Sequence, residues 1–255
     1  MSVVARHLNC GWLHAPPNPR ASCHCLLLEA PTGLALIDTG VGLHDVRDPE
    51  GRIGRELIEL VGFQFREEDT ALRQVERLGF RADDVRDIVL THADPDHAGG
   101  LADFPFARVH LAAEELDALS AGNARYLPAQ FAHEPRWEPH AHSGMTWFGL
   151  PARPLNLGAE VLLVPLFGHT SGHCGVAVRT GGRWLLHAGD AYYLRVELER
   201  DDHPVSALAA ARAEDDVARR RAVAALRRLT RDHALELDVI GYHDVGEFPP
   251  GWVQP

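Results

Sequence analysis

Lysine is absent from the sequence: all 25 basic residues are arginine, against 36 aspartate and glutamate residues. The formal net charge is −11, and the charges are spread along the chain. Nucleic-acid binding requires a basic patch, and attachment to anionic membranes requires clustered positive charge. We therefore expect neither kind of partner. Arginines near a site would still suit an anionic ligand.

Long apolar segments are also missing, and cysteines are few. No apolar run approaches the length of a transmembrane helix, and the N-terminal residues lack the apolar region of a signal peptide. We therefore expect a cytoplasmic protein with reduced thiols. Cys23-His24-Cys25 leads into Leu26-Leu27-Leu28. We interpret it as a strand that buries two thiols on one face, in preference to a metal site.

The chain has 255 residues and a hydrophobic content of 45%, enough for the core of a single α/β domain over residues 1–255. Helical spacing of apolar residues is found at residues 70–78, 113–119 and 213–229. Apolar runs predict strands at residues 25–29, 34–38, 86–91, 108–111, 160–166, 174–180, 183–188 and 237–241. Each half of the chain contains a group of predicted strands with intervening helices. This repetition predicts two packed sheets with helices outside.

Turn signals and insertions complete this outline. Pro31-Thr32-Gly33 and Gly181-Gly182 each separate two predicted strands and indicate hairpins. Residues 41–66 and 122–154 are interpreted as irregular insertions that shape a pocket. Their aromatic residues either line that pocket or pin the loops to the domain. These residues are Phe63, Phe65, Tyr126, Phe131, Trp137, Trp147 and Phe148.

The densest group of potential metal ligands lies within residues 91–100, where His92, Asp94, Asp96 and His97 fall in six residues. Crowding two carboxylates and two imidazoles would cost stability unless a cation compensated them. The group follows an apolar predicted strand, and a loop at a strand's end can hold an open metal site on a rigid scaffold. The sequence therefore predicts a metal centre here.

Three further polar residues follow predicted strands in the second half of the chain, namely His169, Asp190 and His243. Each alone is a weak signal, because a single histidine at a strand end is commonly an ordinary hydrogen-bonded residue. Together with the first group they supply ligands for two metals.

The ordered set of these residues resembles the metallo-β-lactamase superfamily. The set comprises Ile37-Asp38-Thr39-Gly40, the motif His92-x-Asp94-x-Asp96-His97, and then His169, Asp190 and His243. The resemblance covers about residues 25–244. It implies a four-layer αββα sandwich, with a dinuclear metal centre on one edge of the two sheets.

The resemblance also implies a role for each residue. Asp38 would orient ligands, since carboxylates behind metal ligands commonly fix an imidazole tautomer. Asp190 would bridge the two metals. The first metal would be held by His92, Asp94 and His169, and the second by Asp96, His97 and His243.

Asp94 is a departure from the family's usual pattern, which has histidine at this position. A carboxylate makes the first site harder and more anionic, which favours manganese or iron more than three imidazoles would. It also reduces the effective charge of the metals and so makes bound water less acidic. Two divalent ions are expected; zinc is favoured by the family, and manganese or iron remains open because of Asp94.

Tyr193 lies three residues after Asp190. In this it resembles the N-acyl homoserine lactonases of the superfamily, where a tyrosine at the same offset helps to polarise the substrate carbonyl. A packing role for Tyr193 is equally open. His173, His187 and Cys174 are not expected to bind metal.

The function implied is metal-dependent hydrolysis of a small-molecule substrate. A hydroxide bridging two metals would attack the carbonyl of a small ester, lactone or thioester, and Asp96 is a candidate proton acceptor. Two alternatives stay open: an iron-dependent thiol or persulfide oxygenase, and a small-molecule phosphodiesterase. The sequence does not define the oligomeric state.

Overall fold

The computed structural model describes residues 3–255; Met1 and Ser2, which open the predicted domain 1–255, lie outside the described residues. Seven strands form the first sheet, in the spatial order β4-β1-β2-β3-β5-β6-β7. Strands β3, β5, β6 and β7 are parallel to one another, and the other pairs are antiparallel. The strands are β1 (Val4–Leu13), β2 (Ala21–Ala30), β3 (Gly33–Ile37), β4 (Phe63–Gln64), β5 (Val85–Val89), β6 (Arg108–Ala112) and β7 (Arg136–His140).

Six strands form the second sheet, in the order β13-β12-β11-β10-β9-β8. Only the pair of β12 and β13 is parallel among these described strands. The strands are β8 (Met145–Trp147), β9 (Leu150–Asn156), β10 (Glu160–Pro165), β11 (Cys174–Thr180), β12 (Arg183–His187) and β13 (Leu237–Ile240).

Helices lie between the strands. Among residues 3–255, no helix is long and apolar enough to cross a membrane. The α-helices are α1 (Leu43–Arg47), α2 (Pro49–Arg52), α3 (Arg55–Val61), α4 (Ala71–Arg77), α5 (Pro95–Ala98), α6 (Ala113–Ser120), α7 (Pro128–Phe131), α8 (Pro204–Arg212) and α9 (Asp216–Asp232). Single 3-10 turns include Gly99–Asp103 and Gly189–Ala191.

The run Leu26-Leu27-Leu28 in β2 shows how the layers arise. All three leucines are fully buried, because side chains alternate between the two faces of a strand and both faces of this sheet are covered. Leu26 and Leu28 pack between the sheets with Leu163 and Val176 of the second sheet. Leu27 packs on the opposite face, in the cluster that includes Val75 of α4. On the outer face of the second sheet, α9 contributes Val223, Leu226 and Leu229. The predicted αββα sandwich is confirmed.

Both hairpins are confirmed, since β2 pairs antiparallel with β3 and β11 with β12. Cys23 and Cys25 are buried in the same core cluster, as expected for a strand. The predicted helix at 213–229 begins later, because Asp215 caps α9 by accepting a hydrogen bond from the Ala218 amide, and α8 ends at Arg212.

The interpretation of residues 41–66 and 122–154 as irregular is wrong. The first segment contains α1, α2, α3 and β4, and the second contains α7, β7, β8 and the start of β9. Strand β7 is an edge strand with mostly exposed side chains, so it needs no apolar alternation and gives no strand signal. Short helices of four to seven residues likewise carry little periodicity.

Asp103 links the turn after α5 to the start of α1. Its Oδ2 accepts a hydrogen bond of 2.7 Å from the Leu43 amide, whereas its Oδ1 is buried, makes no hydrogen bond and lies 4.0 Å from His44 Nε2. Burial, assisted by the nearby Asp45 carboxylate, raises the pKa of Asp103 to about 7. The folded protein therefore binds one proton more than the unfolded chain between the ordinary aspartate pKa and pH 7, and stability falls as pH rises through that window.

We expect Asp103→Asn to stabilise the protein, because asparagine can still accept from Leu43 and carries no charge. The increase in unfolding free energy over the wild type should be larger at pH 8 than at pH 5 by about 2 kcal/mol. Urea unfolding at both pH values measures it. Asp83→Asn, at an exposed ion pair with Arg81, serves as control. An equal gain at both pH values would contradict the assignment.

Candidate metal centre

The motif between β5 and α5 forms a tight turn at one edge of the sandwich. His92 lies on the loop that follows β5, and Asp94 is the N-cap of α5 with Pro95 at its first position. Proline suits that position because its missing N–H would be unpaired there in any case. Asp96 and His97 follow within this single helical turn, and all four polar residues are buried.

The structure brings all seven predicted metal ligands together. His169 follows β10, Asp190 lies in the turn after β12, and His243 follows β13. In each of three groups, the nearest ligand atoms lie within 4.8 Å of one another. The groups are His92, Asp94 and His169; Asp96, His97 and His243; and His92, His97 and Asp190.

Asp190 lies between the other groups. Its Oδ1 is 3.3 Å from His97 Nε2, and its Oδ2 is 3.4 Å from His169 Nε2 and 3.3 Å from His243 Nε2. One carboxylate thus faces ligands of both predicted metal positions. The preceding Gly189 has φ of +53°, and a Cβ there would lie 2.6 Å from His173 Nε2. That same nitrogen accepts the Asp190 amide at 2.9 Å, so glycine allows the close turn that presents Asp190.

The donor atoms fit bound cations. His92 Nε2, His97 Nε2 and Asp190 Oδ1 are buried and have no hydrogen-bond partner. Unpaired buried polar atoms are costly, and here they point into a cluster of carboxylates and imidazoles. A divalent ion would satisfy them, so the residues present are suitable for holding metal.

Asp38 supports this cluster from behind. It follows β3 with a left-handed backbone (φ of 54°), and its carboxylate accepts 2.8 Å hydrogen bonds from the amide and hydroxyl of Thr91. Its Oδ2 also lies 2.9 Å from His97 Nδ1, which leaves His97 Nε2 directed at Asp190. Burial opposes protonation of His97, but Asp190 and Asp38 raise its pKa well above the usual value. The orienting position predicted for Asp38 agrees with this geometry.

Tyr242 and Ser22 position the second group. The Tyr242 ring stacks on His97 with centroids 3.7 Å apart, and its hydroxyl donates to the Asp96 carbonyl at 2.6 Å. His243 Nδ1 lies 2.9 Å from the Ser22 carbonyl oxygen, so Nε2 faces the cluster. The sequence analysis missed both supports, because neither residue type carries a ligand signal.

The residues not expected to bind metal have other partners. His173 Nδ1 lies 3.0 Å from the Leu166 carbonyl, and His187 Nε2 lies 2.6 Å from the His24 carbonyl. Cys174 is buried in the core between the sheets. None of the three belongs to a potential metal-binding group within residues 3–255.

Arg125 is a contact of the centre that sequence reasoning did not identify. Its Nε donates to Asp94 Oδ1 and its Nη2 to Asp94 Oδ2, both at 2.5 Å. Burial alone would raise the pKa of Asp94, but His92, His169 and Arg125 hold it well below its usual value. Asp94 is thus ionised and paired with the Arg125 guanidinium through both carboxylate oxygens. A histidine at this position could not form such a paired contact.

Glu115 of α6 is a second residue that was missed. It is fully buried and accepts four hydrogen bonds. Oε1 accepts from the Ala93 amide (2.8 Å) and the Tyr126 hydroxyl (2.9 Å), and Oε2 from the Thr170 hydroxyl (2.6 Å) and the Gly172 amide (3.2 Å). One carboxylate therefore connects three loops. The first carries His92 and Asp94, the second carries Arg125, and the third carries His169.

A cavity of about 330 Å³ opens over the cluster. Asp94, Asp96, Asp190, Tyr193 and His243 lie in its wall, and most of the remaining wall is apolar. For the seven aromatic residues, a pocket role and a packing role were both open, and only Phe63 lines this cavity. The other six have packing or hydrogen-bonding roles. The core cluster of the first sheet and its helices includes Phe65, Phe131 and Trp137. The outer core of the second sheet includes Trp147 and Phe148, and the Tyr126 hydroxyl donates to Glu115. Aliphatic residues from α3 and α8 line the cavity in their place. These residues are Leu57, Leu60, Val61, Val205 and Leu208.

The chain belongs to the metallo-beta-lactamase superfamily, whose family model matches residues 18–235. A relative from Mycobacterium tuberculosis, "Probable metallo-hydrolase Rv2300c", is 47% identical over 206 residues. The alignment covers 77% of this chain and 65% of that relative. A relative from Mycobacterium bovis, "Probable metallo-hydrolase Mb2322c", matches to the same extent. This chain therefore spans less than two thirds of the length of either relative.

Solved structures share the fold at low sequence identity. A mutant of B. thuringiensis AiiA with N-decanoyl-L-homoserine bound at the active site has a TM-score of 0.74 and 20% identity, over 97% of this chain and 96% of that one. AidC, a dizinc quorum-quenching lactonase in complex with a product, has a TM-score of 0.59 and 19% identity, over 93% and 80%. These likenesses agree with the sandwich described above.

We expect Glu115→Gln to destabilise the loops that carry the metal ligands. The two backbone amides bond to different oxygens of Glu115, so the amide nitrogen of glutamine would face one of them and leave it unpaired. The loss should be about 2 kcal/mol of unfolding free energy, and metal should be retained less well on dialysis. Unfolding curves and metal analysis measure these effects.

Glu114→Gln is the matched control, because the Glu114 carboxylate bonds to Arg153 and, among the described residues, accepts no hydrogen bond from the ligand loops. Equal metal retention in the wild type, Glu115→Gln and Glu114→Gln would show that Glu115 does not position the centre.

Proposed function

We propose that this chain is a metal-dependent hydrolase that cleaves a small-molecule ester, lactone or thioester. The observation that carries the proposal is that four residues of the seven-residue cluster lie in the wall of an otherwise largely apolar cavity. They are Asp94, Asp96, Asp190 and His243. Ligand sites are typically apolar with a few polar groups that orient the substrate. Membership of the superfamily and relatives named as metallo-hydrolases support the same reaction class.

The ligand set supports two divalent ions. His92, Asp94 and His169 would hold one ion, the second group would hold the other, and Asp190 would bridge them. Bound divalent ions lower the pKa of water to near neutrality and polarise a carbonyl oxygen, which is the chemistry that this hydrolysis requires. We propose zinc, in line with the dizinc neighbour AidC. The carboxylate at Asp94 also suits manganese or iron.

The chain's own residues have two further tasks in this proposal. Asp96 is oriented through its backbone carbonyl by Tyr242, and its carboxylate lies in the cavity wall, where it can accept a proton from water. Tyr193 lies in the same wall, with its ring 5.1 Å from that of His243. Burial and the neighbouring carboxylates, Asp190 first, raise the pKa of Tyr193 well above its ordinary value. The phenol therefore stays protonated and can donate to a developing oxyanion.

The aliphatic wall supports an apolar group on the substrate. The cavity that the polar cluster borders is also lined by Leu57, Leu60 and Val61 of α3 and by Val205 and Leu208 of α8. An acyl chain that reaches this wall would place its carbonyl at the cluster. Homoserine derivatives with acyl chains are bound by the AiiA neighbour, so acylated lactones are the first substrates to test.

A hydrolysis screen with metal-defined protein tests the function. Acyl lactones of increasing chain length, simple esters, thioesters, β-lactams and phosphodiesters should be compared, and we expect turnover of carbonyl substrates that improves with chain length. Activity only towards phosphodiesters would overturn the carbonyl assignment. Iron as the sole retained metal, together with oxygen consumption on a thiol or persulfide, would support the oxygenase alternative instead.

We expect Tyr193→Phe to lower turnover of the best carbonyl substrate about 10-fold at matched metal loading, because one oxyanion donor is lost while a metal still bears much of the charge. Stability and metal content should change little. Tyr192→Phe is the control, since the Tyr192 hydroxyl faces Glu247 and is directed away from the cavity. A rate equal to that of the wild type would assign Tyr193 to packing.

A further inference from the structure

The two metal positions differ in their contacts with cationic side chains: among the described residues, an arginine contacts only the first. We propose that Arg125 is a built-in cation at the first position, so that the second position binds a divalent ion tightly and the first binds one much more weakly. This inference rests on the metal centre of the proposed function but not on its substrate or reaction.

The guanidinium of Arg125 already binds two of the three ligands of the first position. Besides its paired contacts with both Asp94 oxygens, its Nη2 lies 2.6 Å from His169 Nε2. His169 Nε2 also lies 3.1 Å from Asp94 Oδ2 and 3.4 Å from Asp190 Oδ2, so it is the ring nitrogen that faces the other candidate ligands. A metal ion and the arginine N–H therefore compete for the same lone pair.

The second position has no such competitor. Among the described residues, no arginine makes a hydrogen bond or ion pair with the side chains of Asp96, His97 or His243. His97 Nε2 and Asp190 Oδ1 lie 3.3 Å from each other, and neither makes a hydrogen bond with a described residue. A metal ion at this position gains contacts that no protein group supplies.

Arg125 is held firmly enough to act as a permanent charge. Its Nη1 donates to the Arg212 carbonyl at 2.7 Å, its own amide donates to Asn123 Oδ1 at 3.0 Å, and its side chain is only 20% exposed. The neighbouring Tyr126 is anchored on Glu115. A guanidinium cannot shed its proton, so the charge persists at any pH at which the protein is folded. A divalent ion a few ångströms away is repelled, or must displace the side chain first.

Asp94 and Arg125 form one unit in this view. The carboxylate binds the guanidinium through both oxygens, a geometry that requires a planar acid. An imidazole at residue 94 would offer at most one nitrogen and no negative charge. The departure from the family's usual histidine thus explains why an arginine is tolerated beside a metal position.

Zinc titration of chelator-treated protein tests the proposal without any substrate. Calorimetry and metal analysis after dialysis should find one tightly held zinc ion per wild-type chain, with a second ion bound at least about 10-fold more weakly. Arg125→Met keeps the apolar stem of the side chain and removes its charge. It should raise the affinity for the more weakly bound zinc ion about 10- to 100-fold, the range typical of changes beside metal ligands.

Three variants make the result specific. Arg212→Met removes another arginine side chain from the cavity wall and should leave both affinities unchanged. Arg125→Lys keeps the charge without the planar fork and should keep the first position weak. Asp94→His combined with Arg125→Met restores the common pattern and should bind two zinc ions with similar affinity; it also tests the proposal if Arg125→Met alone does not fold.

The outcomes separate this inference from the proposed function. Two zinc ions of equal affinity in the wild type, or an unchanged weaker step in a folded Arg125→Met, would overturn the role of Arg125 and leave the hydrolase proposal standing. Unequal affinities that Arg125→Met removes would support the inference even in a protein that hydrolyses none of the compounds screened. A chain that binds neither zinc nor manganese nor iron would overturn both.

Discussion

Buried negative charge at one edge of the sandwich is the constraint on which the rest of the site depends. Asp38, Asp94, Asp96 and Asp190 are all buried there, beside histidines that need a defined tautomer. Such a cluster is unfavourable unless cations or donors satisfy it. Thr91 and His97 satisfy Asp38, and Arg125 satisfies Asp94. Asp190 Oδ1 lies 3.3 Å from His97 Nε2 but makes no hydrogen bond, so it is an atom that a bound metal ion would satisfy.

The fold gathers these residues because every ligand follows a strand. The loops after β5, β10, β12 and β13 emerge at the same edge, although the residues they carry are up to 151 positions apart, from His92 to His243. Strands hydrogen-bonded in two packed sheets cannot shift independently, so the ligand atoms are held on a rigid frame. The buried contacts of Glu115 then couple the loops to one another, which explains why one glutamate outside the ligand set can affect the whole centre.

The ligand positions could be predicted from sequence because their signal is local: an apolar run followed by histidine or aspartate at its end. The layered fold followed from the same runs. Arg125 and Glu115 could not be predicted in this way, since one lies in a segment that shows no periodicity and the other is an ordinary acidic residue in a helix. Their roles depend on contacts between residues 31 and 55 positions apart, as in Arg125 with Asp94 and Glu115 with Thr170. The edge strand β7 was missed because a strand paired on one side only needs little apolar character.

The pairing of Asp94 with Arg125 changes how the family pattern should be understood in this chain. Considered alone, an aspartate in place of histidine adds negative charge and predicts a stronger attraction for a hard metal ion. With the guanidinium bound to both of its oxygens, much of that added charge is neutralised before any metal arrives. The net charge at the first position is then close to that of a histidine site. However, Arg125 Nη2 contacts His169 Nε2, so a metal ion has to compete with the guanidinium for that nitrogen. The substitution therefore alters the order in which metals bind more than the total charge of the centre, and it does so through a residue that no motif contains.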